Sequence, residues 1–244
     1  MPLYFDFEYP VRDVIVNAHT AALASFAAPG TWWNAAQRCA IATEARDARC
    51  GAGLQEPLDS DLSRNVTDAA LPKAAREVAR QVAISTNDLD QSFFDQAIAD
   101  GLTDTEYTET VGVVARASAL DVFARGIGVP SRALPTPQGG APSRQRPASA
   151  QNEGAWVQSI PGGRRGGQEA IDTYGSDNPQ AAPFVYRALS LVPEEVKGQI
   201  RNATAQYIRL EEFMNPEFTL DPSITRPQVE LVAARVSVIN QCFY

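Results

Sequence analysis

Along most of the chain, apolar residues recur at three- and four-residue steps, the spacing that gives a helix one apolar stripe. After an aromatic, alternating opening (Leu3, Phe5, Phe7, Tyr9), this spacing predicts an alanine-rich helix from about Val11 to Ala27, ended by Pro29-Gly30. A second helix is predicted from about Thr31 to Arg49. Its stripe of Trp32, Trp33, Ala36, Cys39, Ala40 and Ala42 is built mostly of small side chains that let a neighbouring helix come close. Further helices are predicted over Leu71–Ile84 and Asp90–Ala99. Thr103-Asp-Thr-Glu106 reads as a capping box opening a long helix through Tyr107, Val111, Val114, Leu120 and Phe123, which Gly126, Gly128 and Pro130 bring to an end.

From Pro130 to Pro183 the pattern breaks down into Pro, Gly, Ser, Arg and Gln, with Trp156, Val157 and Tyr174 as the residues able to pin it to a core. A loop of that length marks a connector between two halves or a lid. Helical spacing resumes over Pro183–Leu191 and Pro193–Phe213, and Pro216 and Pro222 interrupt it. A last helix opens at Thr225, with Pro227 in its first turn and Gln228 three residues after the cap; Val229, Val232, Val236, Ile239 and Phe243 form its stripe. The fold class is therefore expected to be all-α. Residues 1–129 make an N-terminal helical half, 130–182 an irregular connector and 183–244 a C-terminal helical half.

Composition narrows the function. The 244 residues are 44% hydrophobic and 20% charged, ordinary for a globular chain, and the net charge of -8 argues against nucleic acid as a partner. The one basic cluster, Gly162-Gly-Arg-Arg-Gly-Gly167, is framed by glycines and reads as a loop. The opening residues carry acid and no basic stretch, so they do not read as a signal peptide, and no apolar run is long enough for a membrane span. Three cysteines (Cys39, Cys50, Cys242) at unrelated spacings fit a reducing compartment, so the expected location is cytoplasmic.

Chemistry is sparse. There is no Gly-x-Gly-x-x-Gly after a strand, no phosphate-binding Gly-x-x-x-x-Gly-Lys and no histidine pair, so neither a cofactor nor a metal is expected. His19 is the single histidine and reads as a packed or surface residue. Cys39 and Cys50 read as buried small hydrophobes. Glu109 and Asp121 lie on or near the long helix, either as solvated or helix-pairing groups or as carboxylates for a first-half pocket.

The last helix carries the strongest signal, Glu230 and Cys242 with eleven residues between them. Glu, eleven residues, Cys-x-x-Cys and a nearby His resembles the signature of the alkylhydroperoxidase D-like / carboxymuconolactone decarboxylase superfamily. Glu230 and Cys242 match it, and Phe243-Tyr244 fit the two intervening positions. The stretches His19–Trp33, Arg38–Arg46, Glu106–Val114 and Ala188–Val196 are similar to alkylhydroperoxidase-related members, so the resemblance covers most of the chain. The second cysteine and the histidine are absent. The expectation is a chain cut inside the motif, either by a fragmentary gene or by a UGA codon that the cell reads as selenocysteine.

The resemblance implies two pseudo-repeated helical halves that self-associate. The first half is a degenerate copy, with Gln37 where a glutamate would be, Cys50 thirteen positions on, and Gly53 after it. It also implies a thiol-dependent peroxidase acting on hydrogen peroxide or organic hydroperoxides, with a thiol reductant. Cys242 would be the nucleophile and Glu230 a proton relay. A thiol with pKa near ~8.5 is mostly protonated at neutral pH, and a Cys-x-x-Cys lowers that value while keeping a resolving thiol in reach. On one unbroken helix Glu230 and Cys242 would lie roughly 18 Å apart, so their contact needs a break near Asn240-Gln241. Two other readings remain: a carboxymuconolactone decarboxylase-like lyase without redox cysteines, and a helical assembly subunit. Taken residue by residue, Cys242 is equally an apolar residue on a core face and Glu230 a solvated one.

Overall fold

The computed structural model describes residues 3–56, 71–209 and 212–239. Among these the chain is all-helical: α1 (Asp13–Phe26), α2 (Ala35–Gly51), α3 (Lys73–Ile84), α4 (Gln91–Ala99), α5 (Asp104–Gly126), α6 (Gly167–Tyr174), α7 (Phe184–Arg187), α8 (Pro193–Gln206) and α9 (Arg226–Ile239). Extended pairing among the described residues is confined to two isolated bridges, Gln151 with Ser159 and Asp221 with Ile224. None of the described helices is long and apolar enough to cross a membrane.

Local chemistry sets the helix starts. Thr103 accepts from the Glu106 amide while the Glu106 carboxylate accepts from the Thr103 amide, the capping box expected for α5. Asp90 likewise caps α4 through the Phe93 amide. The α2 helix starts later than its apolar spacing predicts. Asn34 and Gln37 form a second reciprocal box, so Thr31, Trp32 and Trp33 precede the helix. Gln37, placed by the resemblance at a glutamate position, is the partner of the Asn34 cap in this box, at the third residue of the helix. The helix predicted over Pro183–Leu191 is only the single turn Phe184–Arg187, and that predicted over Pro193–Phe213 ends at Gln206.

Packing divides the chain into two compact units, Met1–Asn202 and Ala203–Tyr244. In the first, α2, α3 and α5 pack on one another around Phe26, Trp33, Ile41, Val78, Val113 and Val114. Alanines at 40, 42, 45, 75 and 79 are buried at these contacts and permit the close approach. A smaller cluster holds Ile160, Ala170, Tyr174, Leu189 and Val196, and Val111 of α5 touches both clusters.

The connector is tied down along its length. Its backbone donates from Gln138 to Ala27 (2.7 Å) and from Arg144 to Thr31 (2.8 Å), and the Arg146 guanidinium grips Asp104 with two bonds of 2.8 and 2.7 Å. Trp156 stacks on Phe94, Val157 packs against the main cluster, and the Tyr174 hydroxyl donates to the Ile160 carbonyl at 2.6 Å. These are the three residues expected to anchor it.

In the second unit, α9 has no buried residue along its described length. Val232, Val236 and Ile239 of its apolar stripe are exposed, and so are Leu231 and Val238 outside that stripe.

Candidate functional site

Two of the central helices, α2 and α5, are buried nearly all round, and Arg38, Glu44, Arg46, Glu109, Arg116 and Asp121 are buried with them. Arg38 pairs with Glu109 and Arg46 with Asp121, so the two helices run in the same direction, bound at two levels. The Arg46–Asp121 pair is bidentate, at 2.8 Å for each bond. Glu109 and Asp121 are therefore helix-pairing groups, and neither is solvated.

A third helix completes the upper level. Glu195, in the first turn of α8, accepts from Arg38 Nη1 on Oε1 (2.9 Å) and from Arg116 Nε and Nη2 on Oε2 (3.1 and 2.5 Å). Arg116 also donates to the Ser25 hydroxyl at 2.7 Å, and Arg38 Nε donates to the Ser25 carbonyl at 3.2 Å. Glu109 accepts from Arg38 Nη1 and from the Trp32 backbone amide. All four side chains are 4% exposed or less. Two arginines and two glutamates thus form a charge-balanced hub that joins α2, α5 and α8.

Glycines make the room. A Cβ on Gly30 would overlap Glu109 and Arg38, one on Gly112 would sit 2.6 Å from Glu195 Oε2, and one on Gly198 would sit 2.8 Å from Arg116 Nη1. Each has an ordinary backbone conformation, so the requirement is space and not a left-handed turn.

The two carboxyls of the hub differ. Burial lifts Glu109 above the usual carboxylate range, and the single guanidinium beside it does not offset this. Burial pushes Glu195 the same way, but Arg116 and Arg38 together outweigh it and hold the group ionised. Glu109 is the carboxyl of the pair able to carry a proton.

Beside the hub lies a cleft of about 290 Å³, lined by Arg38 and Arg116 from inside and by Lys197 and Arg201 from α8. It adjoins a second, of about 420 Å³, sharing Thr31, Ser143, Glu194 and Lys197 with it.

The residues singled out from the sequence fall elsewhere. Cys242 lies outside the described residues. Glu230, in the first turns of α9, accepts from the Tyr207 hydroxyl at 2.9 Å and from Arg226 Nε at 2.5 Å. Those two bonds, Arg226's foremost, hold its carboxyl below the usual range, so it stays ionised. Cys39 is buried and free, its thiol pushed up to about 11 by burial; Cys50 is half-buried and free. His19 is packed inside the first unit, its Nδ1 at 2.6 Å from the Tyr4 hydroxyl and its ring edge-on to Phe123. Burial lowers its pKa to about 4. Among the described residues no group of three or more His, Cys, Asp or Glu side chains is placed to hold a metal ion.

No protein-family model, no curated protein and no solved structure matches this chain.

Arg38, Arg116 and Glu195 were not singled out from the sequence. Their signal was a charged residue set among buried small ones, as Arg38 is between Ala35 and Cys39, together with glycines inside predicted helices at 112 and 198.

Proposed function

We propose that the protein is a thiol-dependent, peroxidase-type oxidoreductase of the alkylhydroperoxidase D-like kind, with Cys242 as nucleophile and Glu230 as proton relay. The observation that carries the reading is the state of Glu230. It is an ionised carboxylate held by the Tyr207 hydroxyl and Arg226, on the last described helix, with eleven residues between it and Cys242. Tyr207 and Arg226 give this carboxylate a set orientation, which a proton relay needs, and the Arg226 pairing keeps it in the proton-accepting form.

In this chemistry the Cys242 thiolate attacks one peroxide oxygen, the O–O bond breaks, and the other oxygen leaves as water or an alcohol once protonated. The resulting sulfenic acid is returned to the thiol by a thiol reductant, through a mixed disulfide. Two segments of the resemblance, Arg38–Arg46 and Glu106–Val114, contain Arg38, Arg46 and Glu109, three of the four residues that pair α2 with α5, which makes those stretches scaffold for the helical core rather than part of the thiol chemistry. We also infer self-association through the exposed apolar stripe of α9.

The test is peroxide consumption with a dithiol reductant, using protein expressed from its native reading frame beside Cys242→Ser and Glu230→Gln. The proposal expects Cys242→Ser to abolish turnover and Glu230→Gln to slow it about a hundredfold. Equal rates for wild type and Cys242→Ser remove it.

A further inference from the structure

The hub leaves one donor over. Five of the six guanidinium nitrogens of Arg38 and Arg116 donate to protein acceptors, and Arg38 Nη2 has none among the described residues. By contrast, each carboxylate oxygen of Glu109 and Glu195 already accepts at least one bond. Arg38 is buried, yet it lines the cleft of about 290 Å³ beside the hub, so its spare N–H groups have only that space to donate into. Arg201 lines the same cleft, exposed and making no ion pair or hydrogen bond among the described residues. Lys197 lines it too, paired to the well-exposed Glu194 at 2.7 Å.

Charge counting sets the ligand class. Four cations line the cleft, Arg38, Arg116, Lys197 and Arg201, against two carboxylates, Glu194 and Glu195, an excess of positive charge that calls for an anion. The adjoining cleft adds a second constraint: Glu169 and Asp172 line it, and its one arginine, Arg146, is already held by Asp104. A ligand long enough to enter it meets carboxylates, so its far end carries no second negative charge. A planar carboxylate also matches guanidinium donors better than it matches an ammonium.

We propose that this cleft binds a small organic monocarboxylate, its carboxylate held between Arg38 Nη2 and the Arg201 guanidinium and its far end directed past Ser143 and Thr31. The site lies wholly within the first unit and stands independently of any thiol chemistry at Cys242.

Isothermal titration of the full chain in low-salt buffer tests it, with acetate, lactate, lactamide, succinate and inorganic phosphate as probes. Acetate and lactate bind, lactamide does not, and succinate and phosphate bind more weakly than lactate. Arg201→Ala weakens lactate about fivefold or more. Lys197→Met weakens it by a smaller factor, and both variants keep the wild-type melting temperature because the two side chains are surface groups. No heat with either monocarboxylate overturns the proposal. So does lactamide binding as well as lactate, succinate or phosphate binding more tightly than lactate, or lactate affinity unmoved in both variants.

Discussion

Arg38 and Glu195 are 157 residues apart in the chain and meet at 2.9 Å with both side chains almost fully buried. Charges are taken out of water at a cost of several kcal/mol each, so their pairing holds the structure only while every partner is present. Glu195→Ala would leave Arg116 buried without a carboxylate and Arg38 with Glu109 alone. The expected loss is about 3–5 kcal/mol, read by urea unfolding. Gly112→Ala presses on the Cβ and Cγ of Glu195, each 2.7 Å from the added atom, and should cost about 1–3 kcal/mol. Gly51→Ala is the control. Nothing lies within 4 Å of its added methyl, so stability stays level or rises by up to about 1 kcal/mol. If Gly112→Ala behaves like Gly51→Ala, the hub is looser than described.

Thiol labelling separates the cysteines. Burial pushes the Cys39 thiol up to about 11, leaving almost no thiolate at neutral pH and no route for a reagent. Iodoacetamide at pH 7, followed by peptide mass spectrometry, should modify Cys242 first, Cys50 more slowly and Cys39 only after denaturation. Labelling of Cys39 in the folded protein would contradict its placement.

Acid should act through His19. Its folded-state pKa is lowered from 6.5 to about 4 by burial, so the fold requires the neutral ring. The contribution to stability is complete above pH 6.5 and is lost progressively as the pH falls toward about 4. The loss is at most about 3 kcal/mol, less whatever solvent reaches the ring. Melting temperature followed from pH 7 to pH 4 should fall in the wild type. In His19→Gln the decline over that window should be shallower, apart from the carboxylates at its lower end.

The α9 stripe should govern assembly state. Val232→Asp with Val236→Asp places charge on two exposed apolar positions. Light scattering after size exclusion should show the wild type associated and the double variant as a single chain, with far-ultraviolet dichroism unchanged. Identical masses would remove the inferred self-association.

Helices were legible wherever a cap and a stripe coincided. Thr103 with Glu106 and Asp90 before α4 each combine a polar residue of known capping geometry with an apolar face, and both starts lie where expected. The onset of α2 was missed because Trp32 and Trp33 extend the apolar pattern upstream of Asn34, whose box with Gln37 sets the true start. The hub was invisible for a different reason. Arg38, Arg116 and Glu195 look like solvated charges in any local window, and only partners drawn from α2, α5 and α8 bury them. The terminal stripe erred in the opposite direction: Val232, Val236 and Ile239 have core-like spacing, yet periodicity names no partner and they are exposed. Cys242, the other half of the sequence signal, lies outside the described residues.

The three-helix junction also bears on the order of assembly. Among the described residues Glu195 is the one carboxylate that reaches both Arg38 and Arg116, and it is made long after either. During synthesis α2 and α5 can meet well before their last counter-ion exists, so an early intermediate must keep one guanidinium wet. Docking of α8 is then the closing step, and shortening the chain ahead of residue 195 should yield a swollen, dye-binding species in place of a smaller native domain.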